Sequence, residues 1–190
     1  MPRDASQPTR LRRPRETDVL IMDANLDISQ VGALVLEKTE IMRQTLSSVL
    51  RNLGMRDVRA AGTPEYALEL FVDRPADIVF TDWSPGLNGI GFLRALRLDH
   101  RSPNPCVPVV MVTANTEPRH VYWARDHGMT EYLAKPFTAK AVYRHIRSIA
   151  ASRRPFIKLS SFFGPDRRRR RMEFPGMDRR VRAPAMAVAS

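Results

Sequence analysis

Between Ala33 and about Ala150 the chain repeats one pattern: a short apolar run, then a longer amphipathic stretch. Ala33–Leu36, Val58–Ala61, Ile78–Thr81, Val109–Val112 and Glu131–Leu133 read as five strands. Thr39–Leu53, a stretch opened by Thr63 and Pro64, Gly89–Leu98, Glu117–Asp126 and Thr138–Ala150 read as five helices. In the first helix Met42, Leu46, Val49, Leu50 and Leu53 share one face, and Gly54 stops it. Thr63 is placed to cap the second, with Pro64 at its first position and Ala67, Leu68 and Phe71 inward. Runs such as Ile78-Val79-Phe80 are apolar on both sides, which suits a parallel sheet covered on both faces. Right-handed crossovers then make a doubly wound α/β domain.

Val19-Leu20-Ile21-Met22-Asp23 imitates a first strand ending in an acid. The first helix begins only near Thr39, too far on for an ordinary strand-to-helix loop. Residues 1–30 are therefore expected to be a disordered basic arm with a lead-in segment, residues 31–150 the folded domain, and residues 151–190 a disordered Arg-rich tail.

Ligands of open parallel sheets bind at the carboxyl ends of the strands. Those ends carry Glu37 and Lys38 after the first strand, Asp82 after the third, Thr113 after the fourth and Lys135 after the fifth. Strand ends meet water and carry polar groups in any case. A carboxylate, a hydroxyl and an ammonium in this order nevertheless suit a phosphoryl group, with Asp82 as nucleophile, Thr113 as hydrogen-bond donor and Lys135 as counter-charge.

On these residues the chain resembles a CheY-like response-regulator receiver domain, of flavodoxin-like fold. Asp82-Trp83 resembles the phosphoacceptor and the residue after it. Pro85-Gly86-Leu87-Asn88-Gly89 resembles the following loop, and Val112-Thr113-Ala114 the switch-threonine strand. Tyr132-Leu133-Ala134-Lys135-Pro136-Phe137 resembles the lysine-proline signature, with Tyr132 at the aromatic switch position. The resemblance implies a signalling adaptor rather than an enzyme. It implies phosphorylation of Asp82 by a sensor histidine kinase and a cis peptide before Pro136. It also implies Mg²⁺ on Asp82 and two acids after the first strand.

Two departures make Mg²⁺ doubtful. The acid pair is degenerate: Glu37 is followed by Lys38, which removes an oxygen ligand and adds a cation expected about 4 Å from Asp82. The loop after Asp82 is one residue short, so its carbonyl is expected to miss the metal. Little phosphorylation of Asp82 is then expected, and the main alternative is a conventional phosphorelay receiver in which Asp82 takes phosphate regardless.

Charge adds a second functional region. The net +11 divides into +2 for residues 1–18, +1 for residues 19–150 and +8 for residues 151–190. So uneven a balance points to an anionic partner for the tail rather than the body. The tail repeats Gly-x-Asp-Arg-Arg-x-Arg, first from Gly164 to Arg170 and again from Gly176 to Arg182. With 27 Arg against four Lys in the chain, a plain solvated cationic tail accounts for the arginine but not the repeat. Nucleic acid or an anionic membrane is a second reading. The aspartates inside each copy argue against DNA or another phosphate backbone. A third reading uses both residue types: arginine pairs with the O6/N7 edge of guanine and stacks on it, while a carboxylate accepts from N1–H and N2–H₂.

The tail also resembles the arginine-rich extensions of CheY-like cyclic di-GMP effectors, which tune flagellar motors. By that resemblance Asp166, Arg167, Arg168, Asp178, Arg179 and Arg180 contact the ligand, and a flagellar motor switch or another protein is the target.

The single cysteine, Cys106, excludes a disulfide framework. His100, His120, His127 and His145 lack metal-ligand spacing. Trp83 and Trp123 are expected to pack beside the site. No apolar run nears 18 residues, so no transmembrane segment is expected. Without a signal-peptide pattern at the N-terminus, the cytoplasm is the expected location.

Overall fold

A computed structural model describes residues 27–84, 86–115, 117–151, 155–159 and 162–166. The strands are β1 (Ala33–Leu36), β2 (Val58–Ala61), β3 (Ile78–Asp82), β4 (Val109–Thr113) and β5 (Glu131–Ala134). The helices are α1 (Glu40–Asn52), α2 (Pro64–Asp73), α3 (Gly89–Leu98), α4 (Pro118–Asp126) and α5 (Ala139–Ala151). All five strands are parallel, in the order β2-β1-β3-β4-β5. This is the flavodoxin-like, doubly wound sheet expected from the pattern. The order reverses between β1 and β3, and such a reversal opens the crevice where ligands bind.

Alternation along each strand makes two cores. Leu34, Leu36, Val79, Val109 and Met111 face α2, α3 and α4, where Phe71, Phe92, Leu93 and Leu96 are buried. Ala33, Val35, Ile78, Phe80, Val110 and Val112 face α1 and α5, where Leu46, Leu50, Val142 and Ile146 are buried. Capping follows residue type. The Thr63 hydroxyl accepts from the Tyr66 N–H at 3.3 Å, and Asn88 Oδ1 accepts from the Gly91 N–H at 2.8 Å. The Lys135–Pro136 peptide is cis, as the resemblance implied. The lead-in Val19–Met22 lies outside the described residues.

The tail differs from expectation. Its first part is ordered as an antiparallel ribbon, β6 (Phe156–Leu159) and β7 (Phe162–Pro165). The Asp166 N–H donates to the Pro155 carbonyl at 2.7 Å and closes its base. Averaged over 40 residues, arginine and proline hide the apolar cluster Phe156-Ile157, Phe162-Phe163. That cluster need not fold alone, because the domain supplies a surface for it.

The surface centres on Arg97. This arginine of α3 is buried, with 4% of its area exposed. Its Nε and Nη2 donate to the Gly128 carbonyl at 3.2 and 3.0 Å, and Nη1 donates to the Pro105 carbonyl at 2.8 Å. Phe156 covers it, the guanidinium carbon lying 5.0 Å from the ring centre. Such a cation–π contact is worth about 1–2 kcal/mol when desolvated. Burial pulls the Arg97 pKa down to about 10.

Gly164 of β7 seats against Gly128: a Cβ on Gly164 would lie 2.7 Å from the Gly128 Cα. Gly128 itself has φ +93°, and a Cβ there would lie 2.5 Å from the Phe163 carbonyl oxygen. Gly128→Ala is therefore expected to lower stability by about 2 kcal/mol or more, from left-handed strain plus displacement of the ribbon. In a chain ending at Ala151 the same change is expected to cost only about 1–2 kcal/mol, the strain alone. Urea unfolding of both pairs checks this, and equal losses in the two backgrounds would show that the ribbon does not press on Gly128.

Candidate functional site

Three strand ends bring the expected residues together. Asp82 is the last residue of β3, Glu37 directly follows β1, and Lys135 directly follows β5. The Lys135 ammonium donates to Asp82 Oδ1 at 2.8 Å and to Glu37 Oε2 at 2.6 Å. Only 2% of the Asp82 side chain and 6% of that of Glu37 are exposed. The Lys135 backbone N–H is fixed by the Thr113 carbonyl at 2.9 Å, so β4 positions the ammonium. Burial opposes the charge on Lys135, but hydrogen bonds and attraction from Asp82 and Glu37 outweigh it and raise its pKa.

The free valences of this pocket are few. Glu37 Oε1 already accepts from the Thr39 N–H at 2.9 Å. Asp82 Oδ2 is buried without a hydrogen-bond partner. Among the described residues it is the one carboxylate oxygen of the pair without a partner.

Lys38 makes no ion pair with Asp82. Its Nζ lies 2.9 Å from where a Gly86 Cβ would stand, over the loop after Asp82. Among the described residues it makes no ion pair within 4 Å, and the cation on Asp82 is Lys135. Lys38 is exposed, and water outcompetes a distant carboxylate for a flexible ammonium.

Thr113 and Tyr132 contact backbone groups beside the site. The Thr113 hydroxyl donates to the Trp83 carbonyl at 2.8 Å and accepts from the Asn115 N–H at 3.0 Å. The Tyr132 hydroxyl donates to the Asn115 carbonyl, and burial raises its pKa. Asn115 is thus held on both sides, by the two residues of the expected switch. Periodicity gave no signal for it, because its backbone rather than its side chain makes these contacts.

Arg43 was likewise missed. Its Nη1 donates to the carbonyls of Glu37 and Lys38, at 2.8 and 3.2 Å, and so holds the acid-bearing loop. Trp83 and Trp123 stack with ring centres 5.2 Å apart, and His120 meets the Trp83 ring edge-on at 5.1 Å. This is the packing beside the site expected for the two tryptophans.

Of the tail residues singled out, Asp166 lies at the base of the ribbon. Arg167, Arg168, Asp178, Arg179 and Arg180 lie outside the described residues.

A parallel sheet with a buried aspartate, a threonine and a lysine at successive strand ends defines a receiver-type phosphoacceptor site. Residues 33–147 match the response regulator receiver domain, and the chain belongs to that family as a CheY-like response regulator of two-component signalling. It is 34% identical over 117 residues to the chemotaxis protein CheY of Pseudomonas aeruginosa, covering 61% of this chain and 93% of that protein. It is 30% identical over 130 residues to chemotaxis protein CheY-3 of Vibrio cholerae, covering 68% of this chain and 95% of that one.

Solved structures agree on the fold. Chemotaxis protein CheY4 of Vibrio cholerae superposes with a TM-score of 0.57 at 23% identity, over 63% of this chain and 98% of that one. The receiver domain of Francisella response regulator 1452 superposes with a TM-score of 0.56 at 24% identity, over 64% and 97% of the two chains.

Members of this family hold Mg²⁺ beside the phosphoacceptor, and the residues here do not fit it. Mg²⁺ needs several oxygen ligands in near-octahedral array. Among the described residues no three His, Cys, Asp or Glu side chains converge closely enough to hold a metal. Both Glu37 oxygens are engaged, Lys38 stands in place of the second acid, and the Ser84 carbonyl accepts from the Leu87 N–H at 3.0 Å. Asp82 Oδ2 alone remains.

Proposed function

We propose that this chain is a signalling adaptor, not an enzyme with its own substrate, whose output is set mainly by its Arg-rich tail binding cyclic di-GMP. The observation that carries this reading is the closed pocket: Lys135 joins the two acids, and the second acid is replaced by Lys38. Phosphoryl transfer develops charge on the equatorial oxygens, and a dication normally offsets it. Here only monovalent ammonium groups are near. An input elsewhere then becomes the stronger candidate, and the repeated Gly-x-Asp-Arg-Arg supplies guanine- and phosphate-reading chemistry. A symmetric ligand with two guanines matches two copies.

The similarity to chemotaxis proteins supports a motility-related protein target, such as a flagellar motor switch, in the cytoplasm. Among the described residues no helix is long and apolar enough to cross a membrane. One observation favours the second reading, a conventional phosphorelay with a sensor histidine kinase. Asp82 Oδ2, buried and without a hydrogen-bond partner among the described residues, is a carboxylate oxygen whose free valence a phosphoryl group would satisfy.

The ribbon improves the deciding experiment. Truncation belongs after Asp166, so that β6 and β7 stay in place. Calorimetry with cyclic di-GMP is expected to give micromolar or tighter binding for the full chain, a loss of at least about tenfold for Asp178→Ala at constant salt, and none for residues 1–166. No heat with the full chain, or equal binding by the truncated chain, would sink the reading.

A further inference from the structure

The most conspicuous unpartnered surface lies away from Asp82, between α2 and α3. A groove of about 580 Å³ is lined there by Glu65, Leu68, Glu69, Val72, Asp73 and Arg101. Glu65, Glu69 and Asp73 recur every four residues, so the helix places all three on one face. All three are exposed, and among the described residues none is in an ion pair within 4 Å. The single cation of the groove is already matched: Arg101 Nε and Nη2 donate to the two oxygens of Asp99, at 3.1 and 2.8 Å. The groove is therefore net acidic. It also carries apolar lining, with Leu68 half-buried and Val72 40% exposed.

The ribbon fixes where the rest of the chain departs. Phe156 rests on Arg97, in the last turn of α3 and four residues before Arg101 in the turn that follows the helix, and Asp166 is tied to Pro155 beside it. The residues after Asp166 thus start from the same end of α3 as the groove. They are Arg167–Arg171, five consecutive arginines, with 24 residues in all from Arg167 to Ser190. Five extended residues span roughly 16–18 Å, more than the roughly 10–12 Å diameter of a helix with its side chains. Arginine suits both components, since its fork pairs with carboxylates while its stem covers apolar surface.

We infer that the arginine run Arg167–Arg171 of this same chain docks into the α2–α3 groove, its guanidinium groups on Glu65, Glu69 and Asp73. Each such pair is weak when exposed, near 1 kcal/mol or less. The tether compensates: attachment directly after Asp166 holds the run at an effective concentration on the order of millimolar, so millimolar intrinsic affinity suffices to populate the contact. The contact goes beyond the guanine-reading proposal and does not depend on it. It gives the tail a resting place that an anionic ligand for the same arginines has to compete with.

The test uses the full chain with Cys106→Ser, which removes the exposed free thiol, and a nitroxide attached through Met172→Cys. Amide signals of residues 65–73 and 98–101 are expected to lose at least about half their intensity at low salt. They are expected to recover when salt shortens the Debye length to a few ångströms. The variant Glu65→Gln/Glu69→Gln/Asp73→Asn should restore them at low salt while the signals of β1 to β5 stay in place. Undiminished α2 signals at low salt would overturn the inference. So would broadening centred on Glu37 and Asp82, or broadening that survives the triple variant. A mixture of isotope-labelled and nitroxide-labelled chains separates the last alternative: broadening of equal size there would assign the groove to a second copy and overturn docking within one chain.

Discussion

Lys135→Met is expected to lower stability by about 3 kcal/mol at pH 7.5, among the largest losses a single substitution can cause here. The ammonium is the shared partner of Asp82 and Glu37, both almost wholly buried. Removing one partner of a buried pair strands the other charge, which typically costs about 3–5 kcal/mol. The lower end applies because 16% of the Lys135 side chain still meets water. Two carboxylates are then left in one pocket, with no other side-chain partner for Asp82 Oδ1 among the described residues.

The pH dependence has a definite sign. The Lys135 pKa is raised in the folded state. Its stabilising contribution is therefore complete below the unfolded value of 10.5 and fades as pH climbs through the raised folded value. Adding Asp82→Asn to Lys135→Met should recover most of the loss at pH 7.5. Urea unfolding of the single and double variants measures both. A deficit below about 1 kcal/mol at pH 7.5 would place the cluster with ordinary surface pairs.

Lys38→Asp is expected to create saturable Mg²⁺ binding where the natural sequence shows only a weak, non-saturating response. Exchanging an ammonium for a carboxylate changes the local charge by two. At about 6 Å from a dication, even in water, that is worth roughly 2–3 kcal/mol, and after screening about thirtyfold in affinity. The structure leaves room for the change, because Lys38 lies over the Gly86 loop and holds no carboxylate in place. Amide shifts at Glu37, Asp82 and Trp83 during a Mg²⁺ titration read the binding directly. Tight saturable binding by the unaltered chain would show that Lys38 does not block the metal. Failure of the aspartate variant would point to the Ser84–Leu87 turn as the obstacle instead.

Much of the domain was legible because its signals are local. Strand boundaries agree to within a residue, since a strand buried on both faces reads as an unbroken apolar run. Thr63-Pro64 announced the start of α2 because capping and a fixed φ need no tertiary partner. Asp82 and Lys135 were legible as a pair because strand ends in a parallel sheet lie on one edge, so chain order alone predicts convergence.

The distribution of contacts within that edge was not legible. Lys38 was expected about 4 Å from Asp82 as a second cation beside the Lys135 counter-charge; Lys135 holds Asp82 at 2.8 Å, and among the described residues Lys38 makes no ion pair with it. Thr113 was read as a donor to a phosphoryl group; the contacts its hydroxyl makes to the Trp83 carbonyl and the Asn115 N–H had no signal in the sequence. Both turn on where a long side chain or a hydroxyl proton finds its best partner. That partner is brought in by another strand or loop.

Composition along the chain already separated a nearly neutral α/β body from a basic tail, because periodicity and charge are summed residue by residue. That the tail begins with a ribbon, that Gly164 seats on Gly128 and that Phe156 covers a buried Arg97 were decided only by the folded domain. An apolar cluster too small to fold alone becomes ordered when a complementary surface already exists. Such a surface is assembled from α3 and the loop before β5, segments distant in the chain that meet only after the sheet has closed between them.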